Sequence, residues 1–339
     1  MTTMRDVAER AGVSTATVSF VINGTKRVAP DTRARIVEAM NELGFRRNVL
    51  ARALASRRTR IIALLSPALD NHIGRTGMSI VTSAARAASE RGYRLVLSPV
   101  SNDGREVEEL LTDGLLDGVL LMEVQMDDMR VERLTELGGT FALIGRTRDP
   151  SQLAYVDIDF ERTIEQGLDY LVGLGHKRIA FVGGQQEGAT LTGYGPYVRI
   201  ETAFREGMTA RGLDPIVTST EPSHRGGMSI VDTTLEAAPD LTAIIVENED
   251  AAPGIVQRLA ELGRPVPSAA SVLSIAGTPE LGAMSNPVLS TMNVPQMELG
   301  ELGVVALIDQ LEGTMKDLPQ ILIPCALQIE GTTGPAPCH

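Results

Sequence analysis

The apolar positions of the first 56 residues follow short helical periods separated by helix-ending residues. Their spacing predicts helices over Asp6–Ala11, Thr15–Ile22 and Pro30–Leu43, with a further candidate over Asn48–Ser56. Gly12 and Gly44 stand where a helix can end in the left-handed conformation, and Ser14 stands where a hydroxyl can cap the second helix. We therefore expect an all-α segment that ends at the polar, basic residues 56–60.

From Arg60 onward, short apolar runs alternate with helical segments. The runs predict strands at 61–66, 94–100, 118–122, 140–145, 155–159, 178–184, 242–248 and 271–277. The segments between them include helices predicted at Val81–Gly92, Glu106–Thr112, Val131–Leu137 and Glu161–Gly173. Continuous apolar strands between helices indicate parallel sheets covered on both faces. Because about ten strands are too many for one compact sheet, we expect an α/β core of two doubly wound parallel-sheet subdomains.

Charge divides the chain at the same place. The 339 residues carry a net charge of −12, yet residues 1–60 hold 12 Lys and Arg against 5 Asp and Glu, and the remainder holds 19 against 38. A basic segment on an acidic body indicates a polyanionic partner for the first part only. Two cysteines are too few for a disulfide framework, and no apolar run resembles a signal peptide or approaches the ~20 residues of a membrane helix. We expect a soluble, cytoplasmic protein with no membrane partner.

The first two predicted helices and the glycine-centred turn between them describe a helix-turn-helix, whose second helix enters the major groove of DNA. On a helical wheel, Val18, Val21 and Ile22 share one side and can pack on Val7 and Ala11. The opposite side, with its flanks, carries Thr15, Ala16, Ser19, Phe20 and Asn23.

Phe20 is the unusual residue of this outer face, because a short helix offers it no obvious core to fill. Two interpretations stay open from the residues alone. The ring contacts a base edge such as a thymine methyl, or it packs against the third helix or the loop at Phe45.

The segment MRDVAERAGVSTATVSFVINGTKRVAPDTRARIVEAMNELGFRRNVLARAL resembles the DNA-binding headpiece of LacI/GalR-type bacterial repressors. The similarity continues through DGVLLM, LGHKRIAFVGG and TAIIVENEDAAPG to LSTMNVP, and so covers about residues 2–333. The resemblance implies three parts: a helix-turn-helix headpiece at 1–47, a hinge helix and linker at 48–60, and an effector-binding and dimerisation core at 61–339. The core is expected to have the type I periplasmic-binding-protein-like fold, with an N-subdomain at 61–160 and 292–319 and a C-subdomain at 161–291 and 320–334. Crossovers are expected near Asp159–Arg162, Ser290–Asn293 and Leu318–Ile321.

The resemblance also implies how the headpiece meets DNA. Its expected DNA contacts are Thr15, Ala16, Thr17, Ser19, Phe20, Asn23, Arg47, Asn48, Ala51, Leu54 and Arg57. Leu54 matches the minor-groove wedge of the hinge helix, and a nine-residue helix is too short to be stable alone in water. Arg47, Arg52, Arg57 and Arg58 would lie near phosphates, or else form a solvated basic linker. Because two hinges must pair, the expected unit is a homodimer on a palindromic operator in double-stranded DNA.

Ligands of parallel α/β sheets bind beyond the carboxyl ends of the strands, which selects the segments that follow the predicted strands. The candidate effector contacts are Asn71, His72, Glu123, Arg146, Phe160, Arg199, Asn248, Glu249 and Gly277. Each polar residue among them can instead be a helix cap. Several polar anchors expected from the family are absent, with Gly145, Phe160 and Ala276 in their places. The family's cleft Arg aligns with Ile200, and a one-residue shift offers Arg199 instead.

Because unpaired sugar hydroxyls are costly to bury, we expect a small-molecule effector that is more apolar than a plain sugar or chemically modified. The sequence therefore predicts a ligand-responsive repressor of transcription rather than an enzyme, with no cofactor and no metal site. It contains no G-x-S-x-G, GxxxxGK[ST], H-E-x-x-H or C-x-x-C motif, and His176 is expected to cap a turn. The alternatives are a solute-binding protein without a regulatory role and an architectural DNA-binding protein.

Overall fold

A computed structural model describes residues 2–23, 26–45, 58–70, 73–184, 192–247 and 249–337. The chain forms two compact units, Met1–Thr59 and Arg60–His339, and each is described by itself below. Among the described residues no helix combines the length and the apolar character needed to cross a bilayer.

The first unit contains three helices, α1 (Met4–Ala11), α2 (Thr15–Asn23) and α3 (Pro30–Glu42). Helix α1 begins two residues earlier than the pattern predicts because Thr3 and Asp6 form a capping box. Gly12 ends it at φ +65°, and Ser14 Oγ accepts a hydrogen bond from the Thr17 N–H at 3.2 Å. Gly12 and Ser14 are among the local signals on which the prediction rests, and the three predicted helices are confirmed. The candidate helix Asn48–Ser56 lies outside the described residues and stays a prediction.

The second unit contains two six-stranded sheets. Its strands are β1 (Ile61–Ser66), β2 (Arg94–Pro99), β3 (Gly118–Leu121), β4 (Phe141–Ile144), β5 (Tyr155–Ile158), β6 (Ile179–Gly184), β7 (Ile216–Thr220), β8 (Ala243–Val246), β9 (Ser271–Gly277), β10 (Ser290–Asn293), β11 (Gln320–Ile323) and β12 (Ala326–Gln328). The first sheet has the order β11-β5-β4-β3-β1-β2, and the second has the order β12-β10-β9-β8-β6-β7. The paired strands are parallel except for β10 and β12, which are antiparallel. The two predicted parallel-sheet subdomains are therefore present.

Helices cover both sheets. They are α4 (Arg75–Glu90), α5 (Arg105–Thr112), α6 (Met129–Glu136), α7 (Phe160–Gly173), α8 (Gly195–Ala210), α9 (His224–Ala237), α10 (Ala252–Glu261), α11 (Pro279–Gly282) and α12 (Gln296–Glu312). Helix α12 follows β10 of the second sheet in sequence yet packs against α4 and against β3, β4 and β5 of the first sheet. Fully buried side chains such as Leu64, Leu120 and Leu273 fill the layers between sheets and helices.

The structure corrects two expected subdomain boundaries. Gln320–Ile323 pairs in parallel with β5, with Ile321 opposite Val156, so these four residues belong to the first sheet and not to the C-subdomain. Ser290–Asn293 pairs with β9 of the second sheet, so the chain returns to the first subdomain only after residue 293. The physical reason is that β11 is a four-residue edge strand whose side chains alternate between exposed and half-buried. An apolar run as short as Ile321–Ile323 does not by itself identify a strand or the sheet that it joins.

Candidate functional site

The two faces of helix α2 are divided as the helical wheel predicts. Val18 and Val21 are buried in the apolar cluster that also holds Val7 and Ile36. On the other side Thr15 and Ala16 are exposed. The remaining predicted contacts of this helix, Thr17, Ser19 and Phe20, are half-buried. The exposed side is therefore available to a groove of DNA, as in a helix-turn-helix.

Two of these residues have contacts within the first unit. The Thr17 hydroxyl lies 2.8 Å from Ser14 Oγ, so part of its hydrogen-bonding capacity serves the helix cap. The ammonium of Lys26 lies 4.9 Å from the centre of the Phe20 ring, a cation–π distance. Among the described side chains, the cluster around Ile36 includes Phe45 but not Phe20. Packing of Phe20 into this core is therefore not observed.

Several predicted contacts lie outside the described residues. In the first unit they are Arg47, Asn48, Ala51, Leu54 and Arg57, with Arg52 and the side chain of Asn23. In the second unit they are Asn71, His72 and Asn248. Their roles stay predictions.

A cavity of about 300 Å³ lies between the two subdomains of the second unit. Its lining comes from the segments that follow the carboxyl ends of strands in both sheets, as expected for α/β folds of this kind. The apolar part of its lining consists of Ile73, Ile80, Met122, Val124, Ile144, Ile158, Phe160, Pro196, Ile200, Pro222, Ala276, Val294 and Leu299. Its volume is at the small end for a ligand pocket, and suits a compound of monosaccharide size.

The polar part of the lining is dominated by acids. Five carboxyl side chains contribute to it: Glu123, Asp157, Glu247, Glu249 and Asp250. The phenols of Tyr194 and Tyr197 and the hydroxyl of Thr76 also line it. Among the described residues of the lining there is no Lys, Arg or His.

Glu123 is held in place by its neighbours. Its backbone has φ +55°, an uncommon conformation for a residue with a side chain. Ser66 Oγ donates to Glu123 Oε2 at 2.5 Å, and the Glu123 carbonyl accepts from Arg130 Nη2 at 2.8 Å. Arg130 also forms a fully buried ion pair with Asp128 at 2.7 Å. Glu123 therefore lines the cavity with its backbone positioned by Arg130, and its role as an effector contact stays a prediction.

The side chains of Arg146 and Arg199 contact other residues and do not line the cavity. Arg146 Nε lies 3.1 Å from Asp157 Oδ2, and its Nη2 lies 2.7 Å from Glu161. Arg199 Nη2 donates to the carbonyls of Arg146 and Thr147 at 2.8 and 2.9 Å. Burial raises the pKa of Asp157 to about 6 although Arg199 and Arg146 oppose the shift. The two arginines were predicted as effector contacts, and neither lines the cavity.

Arg199 instead joins the two subdomains. It extends from α8 of the second subdomain to the backbone that follows β4 of the first. A second link is formed where the Gly195 N–H donates to the Val124 carbonyl at 3.0 Å and the Met126 N–H donates to the Gly193 carbonyl at 2.8 Å. The subdomains are therefore in direct contact at the mouth of the cavity.

The remaining predicted effector contacts differ in whether they line the cavity, and their role in binding an effector stays a prediction. Phe160 and Glu249 line the cavity. Gly277 does not, and its neighbour Ala276 lines it instead. On α8 the residue that lines the cavity is Ile200, the position with which the family's cleft Arg aligns directly. The alignment shifted by one residue, which would place Arg199 there, does not fit this helix. Sequence reasoning missed Asp157, Glu247 and the two tyrosines. An acid within or directly after an apolar strand was the available signal for the first two.

Burial also raises the pKa values of two further carboxyl groups of the lining, Glu247 and Glu249. Burial raises the pKa of Glu247 to about 8; the N–H of Gly184 opposes the shift, and the charge of Glu201 adds to it. Burial also raises the pKa of Glu249 to about 7, with Asp250 adding to the shift and Arg75 opposing it. Desolvation of a carboxylate without a close counter-charge has this effect.

A raised pKa has a consequence for stability that can be measured. A carboxyl whose pKa is higher in the folded state stabilises the fold at low pH, and this contribution is lost as the pH rises through the folded value. Relative to Glu247→Gln, the unliganded wild-type protein should therefore lose about 1–2 kcal/mol between pH 6.5 and 8.5, or about 2–5 °C in thermal midpoint. Thermal unfolding of both proteins at constant ionic strength checks this. Parallel pH profiles would contradict it.

Comparisons with known proteins agree with both units. Residues 3–48 match the family model of bacterial regulatory proteins of the lacI family, and residues 168–333 match a periplasmic binding protein-like domain. The chain is 27% identical to catabolite control protein A of Priestia megaterium over 338 residues, covering 98% of this chain and 99% of the relative. The HTH-type transcriptional regulator CelR of Thermobifida fusca is 29% identical over 337 residues, covering 96% and 97%.

The chain belongs to the LacI family. Solved structures of similar proteins include a complex of CelR with cellobiose, with a TM-score of 0.71 at 26% identity, covering 98% of this chain and all of the other. They also include a dimer of the Lac repressor bound to operator and the anti-inducer ONPF, with a TM-score of 0.82 at 25% identity, covering 98% and 99%. This LacI-family chain is thus a transcription regulator with a helix-turn-helix domain and a core of the effector-binding, periplasmic-binding-protein-like type.

Proposed function

We propose that this LacI-family regulator is a repressor that binds a palindromic operator as a homodimer and adjusts its affinity for DNA according to a small molecule in the core cavity. The observation that carries the proposal is one chain that combines an exposed α2 face with a ligand-sized cavity between two subdomains. The Lac repressor dimer bound to operator supports the DNA part. The CelR–cellobiose complex supports the effector part.

The coupling between the two activities follows from thermodynamic linkage. A ligand that prefers one arrangement of the subdomains shifts the pairing of the two hinges and hence the affinity for DNA. Typical couplings of about 1–3 kcal/mol correspond to changes of roughly 5–150-fold. The protein performs this work in the cytoplasm by binding and release, without catalysis and without a cofactor.

The test is a selection of genomic DNA by the purified full-length protein, followed by footprinting at several salt concentrations. We expect one two-fold symmetric sequence to be enriched, and we expect affinity to fall steeply with salt because Lys and Arg contacts to phosphate release counterions. Protection without sequence preference would favour an architectural protein. Absence of any DNA binding would leave a solute-binding role.

Phe20 provides the sharper test of how the operator is read. A phenyl ring offers a thymine methyl an apolar contact, whereas Arg donates two hydrogen bonds to guanine. Phe20→Arg should therefore change the preferred base in each half-site, with a discrimination of about 1–3 kcal/mol. The matched control is Val37→Arg on α3, at a side chain that is 44% exposed and outside the proposed reading face. A binding selection that returns the same operator for Phe20→Arg and wild type would contradict the assignment.

A further inference from the structure

The polar groups of the core cavity are unusual for a site that takes a neutral polyol. An ionised carboxylate is an acceptor only, whereas a sugar hydroxyl is both donor and acceptor and is best matched by a mixture of groups. The described lining supplies five carboxyl groups and the hydroxyls of Thr76, Tyr194 and Tyr197, but no amide, guanidinium or ammonium. One of the five, Asp157, is already paired with Arg146. The remaining acids are complementary to a positively charged group that donates hydrogen bonds.

Glu247 and Glu249 show this most directly. Glu247 is 9% exposed, and its carboxyl accepts one hydrogen bond in the described part of the chain, from the Gly184 N–H to Oε2 at 3.3 Å. Its other oxygen, Oε1, has no partner there. Glu249 Oε2 is buried and has no hydrogen-bond partner among the described residues. Two neighbouring acids on the segment after β8 thus present unused acceptors toward one cavity.

We propose that the cavity binds a small organic cation, a protonated amine whose ammonium group pairs with Glu247 beside Glu249 while its carbon frame lies against Phe160 and Ile200. An ammonium has three donors and no acceptor, which matches the acid wall. It also supplies the positive charge that two buried carboxylates need in order to ionise. This assignment rests on the proposed function, because it takes the cavity as the effector site.

An inorganic cation fits the same wall less well. Among the described residues, no three His, Cys, Asp or Glu side chains are grouped so that they could hold one metal ion. The acids are instead distributed around a cavity of about 300 Å³ whose remaining surface is largely apolar. An extended ligand with one charged end and an apolar body uses both features, and a bare ion uses neither.

Proton release gives the proposal a second signature. Glu247 faces the Gly184 N–H, the phenols of Tyr194 and Tyr197 and the negative charge of Glu201. Glu249 faces Asp250 and Arg75. Because an ammonium stabilises the ionised form of both acids, binding must expel the protons they carry near neutral pH. Affinity for an amine that stays charged should therefore rise roughly tenfold from pH 6.5 to 8.

The experiment compares amines with neutral isosteres on the purified full-length protein in the absence of DNA. The pairs are cyclohexylamine with cyclohexanol, benzylamine with benzyl alcohol, and glucosamine with glucose, each at millimolar concentration. Thermal unfolding and calorimetry in two buffers of different ionisation enthalpy measure stabilisation, affinity and proton release. We expect at least one amine to raise the thermal midpoint by about 2–5 °C and its isostere to bind at least tenfold more weakly. Equal stabilisation by an isostere, no stabilisation by any amine, or stabilisation by Mg²⁺ or Ca²⁺ alone would overturn the proposal.

Two charge-removing variants assign the effect to the cavity. Glu247→Gln and Glu249→Gln keep the side-chain shape, and each should weaken amine binding about tenfold and reduce proton release. The matched control is Glu236→Gln, at an exposed acid on α9 outside the cavity, which should bind amines as the wild type does. Unchanged amine binding by both cavity variants would also overturn the proposal. If either variant fails to fold, the comparison of amines with their neutral isosteres on the wild-type protein still tests the proposal.

The outcome is separable from that of the DNA experiment. A protein that selects an operator but prefers neutral isosteres keeps its regulatory role and loses this ligand class. A protein that binds amines but no DNA keeps the ligand class and loses the regulatory role.

Discussion

Arg130→Met should lower the free energy of unfolding of the core by about 3–5 kcal/mol, because it leaves a buried carboxylate without its partner. Both side chains of the Arg130–Asp128 pair are fully buried. Arg130 donates to Asp128 Oδ1 at 2.9 Å and Oδ2 at 2.7 Å, and it also donates to the carbonyls of Met122 and Glu123. Equilibrium unfolding in urea, followed by circular dichroism, measures the loss.

The chain contains a matched control for this variant. Arg148 and Asp127 form an ion pair at 2.8 Å with exposed fractions of 62% and 72%, and Asp127 is the residue next to Asp128. Arg148→Met should cost no more than about 1 kcal/mol, since an exposed pair contributes little. Similar losses for Arg148→Met and Arg130→Met would show that burial does not determine the strength of the inner pair. Loss of amine binding by Arg130→Met, if it still folds, would extend its role to the placement of Glu123.

Gly227→Ala should destabilise the core by about 3 kcal/mol or more, because helices α9 and α10 touch through their backbones. A Cβ atom at Gly227 would lie 2.0 Å from the carbonyl oxygen of Ala251, and one at Gly254 would lie 2.0 Å from that of His224. Neither neighbour is a flexible side chain, so the helices must separate, and overpacking of this kind costs more than the usual 1–3 kcal/mol. Thermal and urea unfolding measure the effect.

Gly173→Ala provides a control for which the expected change in stability has the opposite sign. Gly173 is the last residue of α7, and a Cβ there would meet nothing within 4 Å. Alanine is a better helix former than glycine by about 0.5–1 kcal/mol, so this variant should be neutral or slightly stabilising. A comparable loss in both variants would indicate that the close approach of α9 and α10 is not what limits Gly227.

Local signals made the first unit predictable. The helices of the headpiece depend on a glycine at φ +65°, a serine cap and an apolar face that Val18 and Val21 define, and each is visible in the sequence. The central strands of the core were predictable for a similar reason, because they are largely apolar even where β5 contains Asp157. The strand β11 was not, since its apolar run, Ile321–Ile323, is too short to identify a strand or the sheet that it joins.

The candidate site was predictable only in outline. Strand ends identified the segments that reach the cavity, and Glu123, Phe160 and Glu249 line it. Spacing does not reveal which way a long side chain turns: Arg146 pairs with the lining acid Asp157 and with Glu161, and Arg199 turns to backbone carbonyls. Glu247 was hidden in an apolar run, where its position looked like part of a strand. Tyr194 and Tyr197 carried no signal, because their approach depends on the fold of the segment before α8.

The path of the chain between the two sheets bears on how such regulators can be recombined. The backbone passes from one subdomain to the other three times, after β5, after β10 and after β11. Neither half of the sensor is therefore a continuous stretch that could be cut out and grafted onto another protein. The exchangeable module is the whole core from Arg60 onward, and a chimeric regulator with new ligand specificity should be spliced at Thr59, where the compact units divide.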